Sequence, residues 1–283
     1  MKNIGIVSNL RRFEKGDVAT DLIDFLVQKG CVPFVENEMG EKFGLMQYAK
    51  GDESVYRDTD MIIVLGGDGT ILNAIMKNAK YETPFLGINF GHLGFLTDVD
   101  SSEIKKSVTA VLNGKYRIER RMNLDAFIKG KNQDEPFTAL NEFNVSMGGI
   151  VDTALYVNDE YIDNFFGDGM IVSTPTGSTA YNLAAGGPIL KSDAEVVAIT
   201  PICPHMLYAR SIVIGAHDIV RIRITSYTGD SVMLVGDGKN LCKMDVGDEA
   251  VISKSTYYTN IIKTNSLGFY DVLRNKMFGK GGR

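Results

Sequence analysis

The most constraining feature of the sequence is an apolar run that leads directly into a glycine-rich loop. Residues 60–65 (DMIIVL) are too apolar for a half-exposed strand and are interpreted as a buried one. The loop at residues 66–70 (Gly66-Gly67-Asp68-Gly69-Thr70) follows at once, and apolar residues then recur at helical spacing from Ile71 to Met76. This order is typical of an α/β sheet, in which ligands bind at the carboxyl ends of the strands.

Strands and helices alternate through the first 116 residues. Strands are predicted at residues 4–7, 31–35 and 85–88, and a helix is predicted from Asp17, its N-cap, to a stop at Gly30. The alternation predicts an N-terminal α/β domain, residues 1–116, with a Rossmann-like parallel sheet and right-handed crossovers.

From about residue 117, one strand-like run follows another. Turn signals such as Asn158-Asp159 and residues 236–238 separate these runs. Strands are predicted at residues 126–128, 139–146, 154–157, 170–173, 196–200, 219–224, 231–235 and 250–253. Residues 117–265 are therefore predicted to form a mostly β domain. Residues 266–283 are predicted to carry a C-terminal helix, at 269–277, that packs back on the first domain.

Composition narrows the class of protein. A chain of 283 residues is expected to form two domains, and its net charge of −5 does not indicate a nucleic-acid partner. The three cysteines, Cys31, Cys203 and Cys242, are far apart and show no C-x-x-C spacing, which favours a reducing compartment over disulfides or zinc. No signal peptide or long apolar stretch is seen, so a cytoplasmic protein without a membrane partner is expected.

The GGDGT loop has the chemistry of a phosphate site. Adjacent glycines let the main chain approach a ligand closely, and free N–H groups at the start of a helix bind anions. Asp68 would then either accept a proton from an attacking hydroxyl or help to hold Mg²⁺ on phosphates. The loop matches neither G-x-G-x-x-G nor a Walker A motif, and an ordinary strand-to-helix turn is the alternative interpretation.

Two polar segments in the β half could bind a ligand. Asn141 and Glu142 are adjacent, so both reach one ligand only near a strand end or bulge. The second segment is residues 167–189 (GDGMIVSTPTGSTAYNLAAGGPI), in which Asp168 is placed before a strand. Its hydroxyls are expected to be exposed, and a helix is expected to begin near Thr179. Tyr181 could stack on a base. A polar pair at a sheet edge and a capped helix are the alternative interpretations.

The motifs together resemble the NAD kinase family. Besides GGDGT, Asn141-Glu142 and residues 167–189, the chain carries GINFGHLGFL at residues 87–96, in which His92 is interpreted as structural. TPICPHMLYARSIV and FYDVLRNKM resemble the later family blocks. The resemblance covers most of residues 1–278, whereas GGDGT alone is shared with lipid kinases and 6-phosphofructokinases.

The resemblance implies transfer of a phosphoryl group to the 2′-hydroxyl of the adenosine ribose of NAD, at a site between the two domains. Asp68 is implied as the base and Gly69 as a substrate contact, and the loop would hold the phosphates of ATP or of another donor, such as polyphosphate. Mg²⁺ would be bound mainly through those phosphates, with Asp68 as a candidate additional ligand. The other implied substrate contacts are Asn141, Glu142, Asp152, Asp168, Thr179, Ala180, Tyr181, Asn182, Leu183, Ala184 and Cys203. Family members are often dimers or tetramers, so a homo-oligomer is expected.

Some positions depart from the family pattern. Ser211 stands where the family usually has proline, and Lys239 stands where glutamine is common. Arg11 and Arg12 could meet the phosphate donor or form a solvated turn. The alternatives for the whole chain are a lipid kinase of the same superfamily, a sugar-phosphate kinase and a non-catalytic NAD(P)-binding sensor.

Overall fold

The fold is known from a computed structural model, which describes residues 1–10, 17–78, 80–91, 94–97, 99–131, 133–265 and 267–277. The helices are α1 (Asp17–Gln28), α2 (Asn37–Phe43), α3 (Asp52–Arg57), α4 (Asp68–Asn78), α5 (Ile104–Leu112), α6 (Tyr181–Ala184) and α7 (Phe269–Met277). The strands are β1 (Asn3–Ser8), β2 (Val32–Val35), β3 (Met61–Leu65), β4 (Phe85–Asn89), β5 (Val99–Asp100), β6 (Arg117–Ile128), β7 (Phe137–Ala139), β8 (Glu142–Val157), β9 (Glu160–Ser173), β10 (Val196–Ile202), β11 (Ile212–Gly215), β12 (Val220–Thr228), β13 (Val232–Gly236), β14 (Lys239–Met244) and β15 (Glu249–Lys263).

The chain divides into two compact units. The first comprises residues 1–120 and 259–283, and the second comprises residues 121–258. The chain leaves the first unit within β6 and returns within β15, so α7 belongs to the same unit as the GGDGT loop. The α/β and mostly β fold classes and the C-terminal helix predicted from the sequence are confirmed. The predicted domain boundaries stay a prediction.

The first unit is built on a parallel sheet in the order β2-β1-β3-β4, with the end of β15 beside β4. The strands β3 and β4 are buried along their whole length, which explains why β3 is entirely apolar and β4 is apolar up to Asn89. The chain runs from β1 outward to β2 and then crosses to β3 on the other side of β1. This reversal opens a crevice between the carboxyl ends of β1 and β3, where such sheets bind ligands.

Helix α1 shows why the spacing of its apolar residues predicted a helix. Ala19, Leu22, Ile23 and Leu26 are buried, and they recur at the spacing of one helical face. They pack into the core of the first unit with strand residues from β1, β3 and β4. Asp17 is the first residue of the helix, where a negative charge is favourable.

The second unit is antiparallel. Strands β11, β10, β9, β8, β12 and β15 are neighbours in that order, and β13 pairs with the first part of β8. The turn predicted between β8 and β9 is confirmed, since Asn158 (φ 50°) and Asp159 (φ 69°) form a two-residue hairpin connection. This unit has an apolar core of its own, which includes Phe143 and Ile222.

Several predicted elements need correction. The runs at 139–146 and 154–157 are not separate strands, because β8 continues from Glu142 to Val157 through a register shift between Ser146 and Val151. The helix expected near Thr179 is a 3-10 turn at Gly177–Thr179 followed by the single turn of α6. Helices α2, α3 and α5 and strands β5, β7, β11 and β14 were not predicted.

In the part of the chain that the structure describes, no helix is long and apolar enough to cross a membrane. Arg11, Arg12 and His92, which the sequence singled out, lie outside the described residues.

Candidate active site

The GGDGT loop joins the buried strand β3 to helix α4. A Cβ atom on Gly66 would overlap the side chain of Thr70, so the first glycine is required for the tight return of the chain. A Cβ atom on Gly67 or Gly69 would meet nothing within 4 Å. The loop is therefore packed against itself on one side and open on the other.

The open side of the loop presents main-chain donors. The N–H groups of Thr70 and Ile71 are satisfied by the carbonyl of Gly67. Those of Gly67, Asp68 and Gly69 have no acceptor among the described residues. Unpaired N–H groups at the positive end of an eleven-residue helix form a site for an anion such as phosphate.

A cavity of about 780 Å³ lies beside these donors, within the range of small-molecule sites. It occupies the crevice that the sheet topology predicts. The lining residues come from the end of β1, the start of α2, helix α3, the glycine loop and α4: Val7, Ser8, Asn9, Leu10, Glu36, Glu38, Tyr56, Gly67, Gly69, Thr70, Asn73, Ala74 and Lys77.

One part of the cavity wall is acidic. Glu36 directly follows β2, and its side chain is only 13% exposed. Its Oε1 accepts hydrogen bonds from Tyr56 Oη at 2.8 Å and from Lys77 Nζ at 2.7 Å. Burial, followed by the Glu36 carboxylate, raises the pKa of Tyr56 well above its ordinary value, so Tyr56 stays a donor. The second oxygen, Oε2, has no partner among the described residues.

Asp68, the predicted base, is held by the segment that follows β4. Its Oδ2 accepts the N–H of Phe95 at 2.9 Å, and its Oδ1 accepts the N–H groups of Leu96 and Thr97 at 3.2 Å. The Thr97 hydroxyl donates to Oδ1 at 3.0 Å, and Lys276 Nζ lies 3.2 Å from Oδ2. Burial alone would raise the pKa of Asp68, but the charge of Lys276 and these hydrogen bonds lower it overall, so the group is a carboxylate.

Close packing explains why glycine stands at position 94. A Cβ atom there would overlap Asp68 Oδ1 and Thr97 Oγ1. Residues 94–97, at the end of the GINFGHLGFL segment and just beyond it, therefore form the cradle of the Asp68 carboxylate, a role that the sequence did not reveal.

In the second unit, the Asn141-Glu142 pair stands at the start of β8, in agreement with its predicted place near a strand end. Asp237 organises this corner, because its carboxylate accepts the N–H groups of Leu140 and Asn141 at 2.8 Å and of Glu142 at 3.2 Å. The side-chain amide of Asn141 has no partner among the described residues.

Glu142 is a strongly perturbed carboxyl group of this corner. It is 5% exposed, and burial followed by the negative charge of Asp237 raises its pKa to about 8. Its buried Oε2 has no hydrogen-bond partner in the described protein. A protonated Glu142 could therefore both donate and accept hydrogen bonds to a ligand.

The threonine-rich block corrects one expectation, because its hydroxyls are not exposed. Thr174, Thr176 and Ser178 are buried. The Thr174 hydroxyl donates to the carbonyl of Leu140 at 2.6 Å, and that of Ser178 donates to Pro175 at 2.7 Å. The Thr176 hydroxyl is buried without a partner. The block is thus a tightly bonded turn in which one hydroxyl stays unpaired.

Asn182 fixes this turn from within. Its side chain is completely buried, donates to the carbonyls of Ser178 at 3.3 Å and Pro188 at 3.0 Å, and accepts from Thr200 at 2.7 Å. The amide is thereby fully used by the protein. That Asn182 contacts the substrate stays a prediction. In this arrangement the contact would have to come from its main-chain atoms.

Four of the predicted substrate contacts in the second unit influence one another electrostatically. Burial, followed by the charges of Cys203, Asp168 and Glu142, raises the pKa of Tyr181. Asp168 raises the pKa of the Cys203 thiol, through a hydrogen bond first and its charge second. Asp168 was expected at the entry of a strand, but it lies inside β9, opposite the register shift in β8.

The other predicted contacts are less distinctive. Asp152 lies in the middle of β8, opposite Phe166 of β9. Thr179 donates to the carbonyl of Thr176, and Lys239 is the exposed first residue of β14. The remaining predicted contacts, Ala180, Leu183 and Ala184, lie in or beside α6.

The described residues do not form a protein cage for a metal ion. No group of three or more His, Cys, Asp or Glu side chains among them could hold one. Both oxygens of Asp68 accept hydrogen bonds and one faces an ammonium group, and its part in holding Mg²⁺ stays a prediction.

Glu36, Asp237 and Lys276 belong to these sites but were not predicted from the sequence. Glu36 carried a positional signal, because an acidic residue directly after the second strand of such a sheet commonly faces the ligand. Lys276 carried none, since 208 residues separate it from Asp68.

Comparisons with known proteins give matches along most of the chain. The model of the ATP-NAD kinase N-terminal domain matches residues 4–116, and that of the C-terminal domain matches residues 141–264. The chain is 41% identical to the NAD kinase of Caldanaerobacter subterraneus subsp. tengcongensis, over 98% of this chain and 99% of that protein. It is 39% identical to an NAD kinase of Clostridium botulinum, over 98% and 96%.

Two solved structures share the fold. The yeast NADH kinase complexed with NADH aligns with a TM-score of 0.87 at 23% identity, over 100% of this chain and 89% of that one. An NAD kinase from Archaeoglobus fulgidus in complex with ATP aligns with a TM-score of 0.75 at 24% identity, over 99% and 98%. With both family models and full-length relatives in agreement, the chain belongs to the NAD kinase family.

Proposed function

We propose that the chain transfers the γ-phosphoryl group of ATP to the 2′-hydroxyl of the adenosine ribose of NAD, giving NADP and ADP. The observation that carries the proposal is the placement of Asp68. An ionised carboxylate is fixed at the start of α4, where three main-chain N–H groups are unpaired, and its neighbours Gly67 and Gly69 line a cavity of about 780 Å³. A proton acceptor beside an anion site is what phosphoryl transfer to a hydroxyl requires.

In the proposed reaction, Asp68 accepts the proton of the 2′-hydroxyl as the ribose oxygen attacks the γ-phosphorus. The new O2′–P bond forms while the bond from that phosphorus to the bridging oxygen of ADP breaks. The N–H groups of Gly67 and Gly69 bind phosphate oxygens and stabilise their charge. Because the described side chains form no metal cage, Mg²⁺ is proposed to arrive on the donor phosphates, where it would neutralise their charge.

The donor is proposed to be a nucleoside triphosphate rather than inorganic polyphosphate. The cavity has N–H donors at the glycine loop, whereas Glu36 and Glu38 line another part of it. Carboxylates accept hydrogen bonds from ribose hydroxyls, as the acidic residue after the second strand does in related sheets. Although Lys77 balances the charge of Glu36, the two carboxylates offer acceptors and no donors to a chain of phosphates, so a donor with a sugar at that end fits better.

The acceptor NAD is proposed to contact the second unit. Asn141 offers an unused amide, and Glu142 and Thr176 offer buried polar atoms without partners. Unpaired buried polar atoms are costly, so a ligand that pairs them gains affinity. Tyr181 is 40% exposed and is proposed to contact the adenosine.

A homo-oligomeric state and a cytoplasmic location are proposed from family resemblance and composition. Size-exclusion chromatography with light scattering would test the first of these. A mass equal to that of one 31.1 kDa chain at micromolar concentration would contradict it.

The experiment that tests the function is a coupled assay. Purified protein is incubated with NAD, ATP and Mg²⁺, and NADP is read through an NADP-specific dehydrogenase. Formation of NADP supports the proposal. If neither NAD nor NADH is phosphorylated while NAD still binds, the chain is a sensor and the proposal is wrong.

The donor proposal has a separate test in Glu36→Gln, which removes the negative charge but keeps the shape of the side chain. We expect a higher KM for ATP, and a smaller difference between ATP and polyphosphate than in the wild type. An exposed control, Asp230→Asn in the loop between β12 and β13, should change neither value. Unchanged donor discrimination in Glu36→Gln would contradict the assignment.

A further inference from the structure

The ammonium group of Lys276 reaches Asp68 from the C-terminal helix. Its Nζ lies 3.2 Å from Asp68 Oδ2 and 4.5 Å from the centroid of the Phe95 ring. The Phe95 ring in turn lies 6.3 Å from that of Phe269, at the start of α7. An aromatic contact at one end and an ion pair at the other thus attach α7 to the cradle of the predicted base.

This ion pair differs from a surface pair on the same helix. Lys276 and Asp68 have about two-thirds of their side-chain surface covered, at 32% and 33% exposure. Arg274 instead pairs with Asp271 of its own helix, and its side chain is 68% exposed. The two basic residues of α7 therefore offer a matched comparison.

The geometry leaves Lys276 with hydrogen-bonding capacity. An ammonium group has three N–H donors. One points to Asp68 and another side faces the Phe95 ring, so with respect to the described residues a further donor remains. A base must come within roughly 2.6–3.2 Å of the hydroxyl it deprotonates. The phosphoryl group that joins this hydroxyl oxygen therefore arrives beside the ammonium group.

We propose that Lys276 is a catalytic residue that bridges Asp68 and the phosphoryl group in transfer. Its positive charge stabilises the equatorial oxygens of that group, where negative charge is spread in the transition state. Lys276 gives up no proton, because the hydroxyl proton goes to Asp68 and ADP leaves with the bridging oxygen. This role rests on the proposed function of Asp68.

The first test is Lys276→Met, which keeps an apolar stem against Phe95 and removes the charge. Loss of one such donor is expected to lower kcat by about 10²–10³-fold, with KM for NAD nearly unchanged. Lys276→Arg should recover part of kcat. The control Arg274→Met removes one positive charge from the same helix and should leave kcat at the wild-type value. Wild-type kcat in folded Lys276→Met would overturn the proposal, and Lys276→Gln supplies the uncharged variant if the methionine protein does not fold.

A second test separates a direct contact from a positioning role. If Lys276 only orients Asp68, then Lys276→Met costs nothing further in an Asp68→Asn background. If Lys276 contacts the phosphoryl group, Lys276→Met lowers the remaining rate of the Asp68→Asn protein by at least about a further tenfold, measured by amplified NADP cycling. No further loss would overturn the bridging role. A wild-type protein that forms no NADP would instead contradict the proposed function itself.

Discussion

Replacing Glu142 by glutamine should change how the stability of the protein depends on pH. Glutamine has nearly the shape of a protonated glutamate and cannot ionise. The pKa of Glu142 is raised from 4.5 to about 8 by burial and by Asp237. From the low pKa of the unfolded state up to about pH 8, the folded protein therefore holds one proton that the unfolded chain has released.

The sign and size of the effect follow from that proton. Because the native state binds more protons, the free energy of unfolding falls as pH rises, by about 1.4 kcal/mol per pH unit. Between about pH 5.5 and about pH 7 this amounts to about 2 kcal/mol. The contribution of Glu142 is fully present below its unfolded pKa and is lost as pH rises through its folded pKa. Asp237, the pKa of which is also raised, contributes a slope of the same sign in both proteins.

The assay is urea unfolding at several pH values. It is followed by far-ultraviolet circular dichroism, because the chain contains no tryptophan. Glu142→Gln should be at least as stable as the wild type near pH 8 and should lack about 1.4 kcal/mol per pH unit of slope. Glu160→Gln, at the exposed start of β9, serves as the control. Parallel curves for Glu142→Gln and the wild type would refute the account of a protonated Glu142.

The remaining predictions concern packing and the buried hydroxyls. Gly94→Ala should displace the Asp68 carboxylate and lower kcat by about 10²-fold, whereas Gly148→Ala, where a Cβ atom meets nothing, should leave kcat unchanged. Equal activities of the two variants in the coupled assay would contradict the claim that close packing at Gly94 positions the Asp68 carboxylate. Thr174→Val should lower the free energy of unfolding by about 1–3 kcal/mol, because it leaves a buried carbonyl unpaired. Thr176→Val should leave stability unchanged and weaken NAD binding; calorimetry showing unchanged NAD affinity would count against a substrate contact of its hydroxyl.

Local patterns accounted for much of the fold. The apolar run before GGDGT predicted the buried strand β3, and the spacing of Leu22 and Leu26 predicted α1. Both patterns are local, because each is contained in a short stretch of sequence. The continuous strand β8 was missed because residues 147–153 show no alternation, and the strand there shifts register against β9.

The motifs of the candidate site could be predicted from the sequence, but its hydrogen bonds and ion pairs could not. GGDGT indicated an anion site because its geometry is local, and Asp68 follows from the motif. The hydroxyls of Thr174 and Ser178 were expected to be exposed, but they donate to main-chain carbonyls, one of Leu140 on a distant part of the chain and one of Pro175 within the same turn. The Lys276–Asp68 pair depends on where α7 packs, which only the folded first unit determines.

The measurement that tests the central claim most directly compares turnover and NAD binding in Asp68→Asn. Turnover is followed as NADP formed from NAD and ATP, and NAD binding is measured by calorimetry on the same preparation. If Asp68 is the base, turnover should fall about 10²–10⁴-fold while the Kd for NAD stays close to that of the wild type. Near-normal turnover in Asp68→Asn would contradict the account.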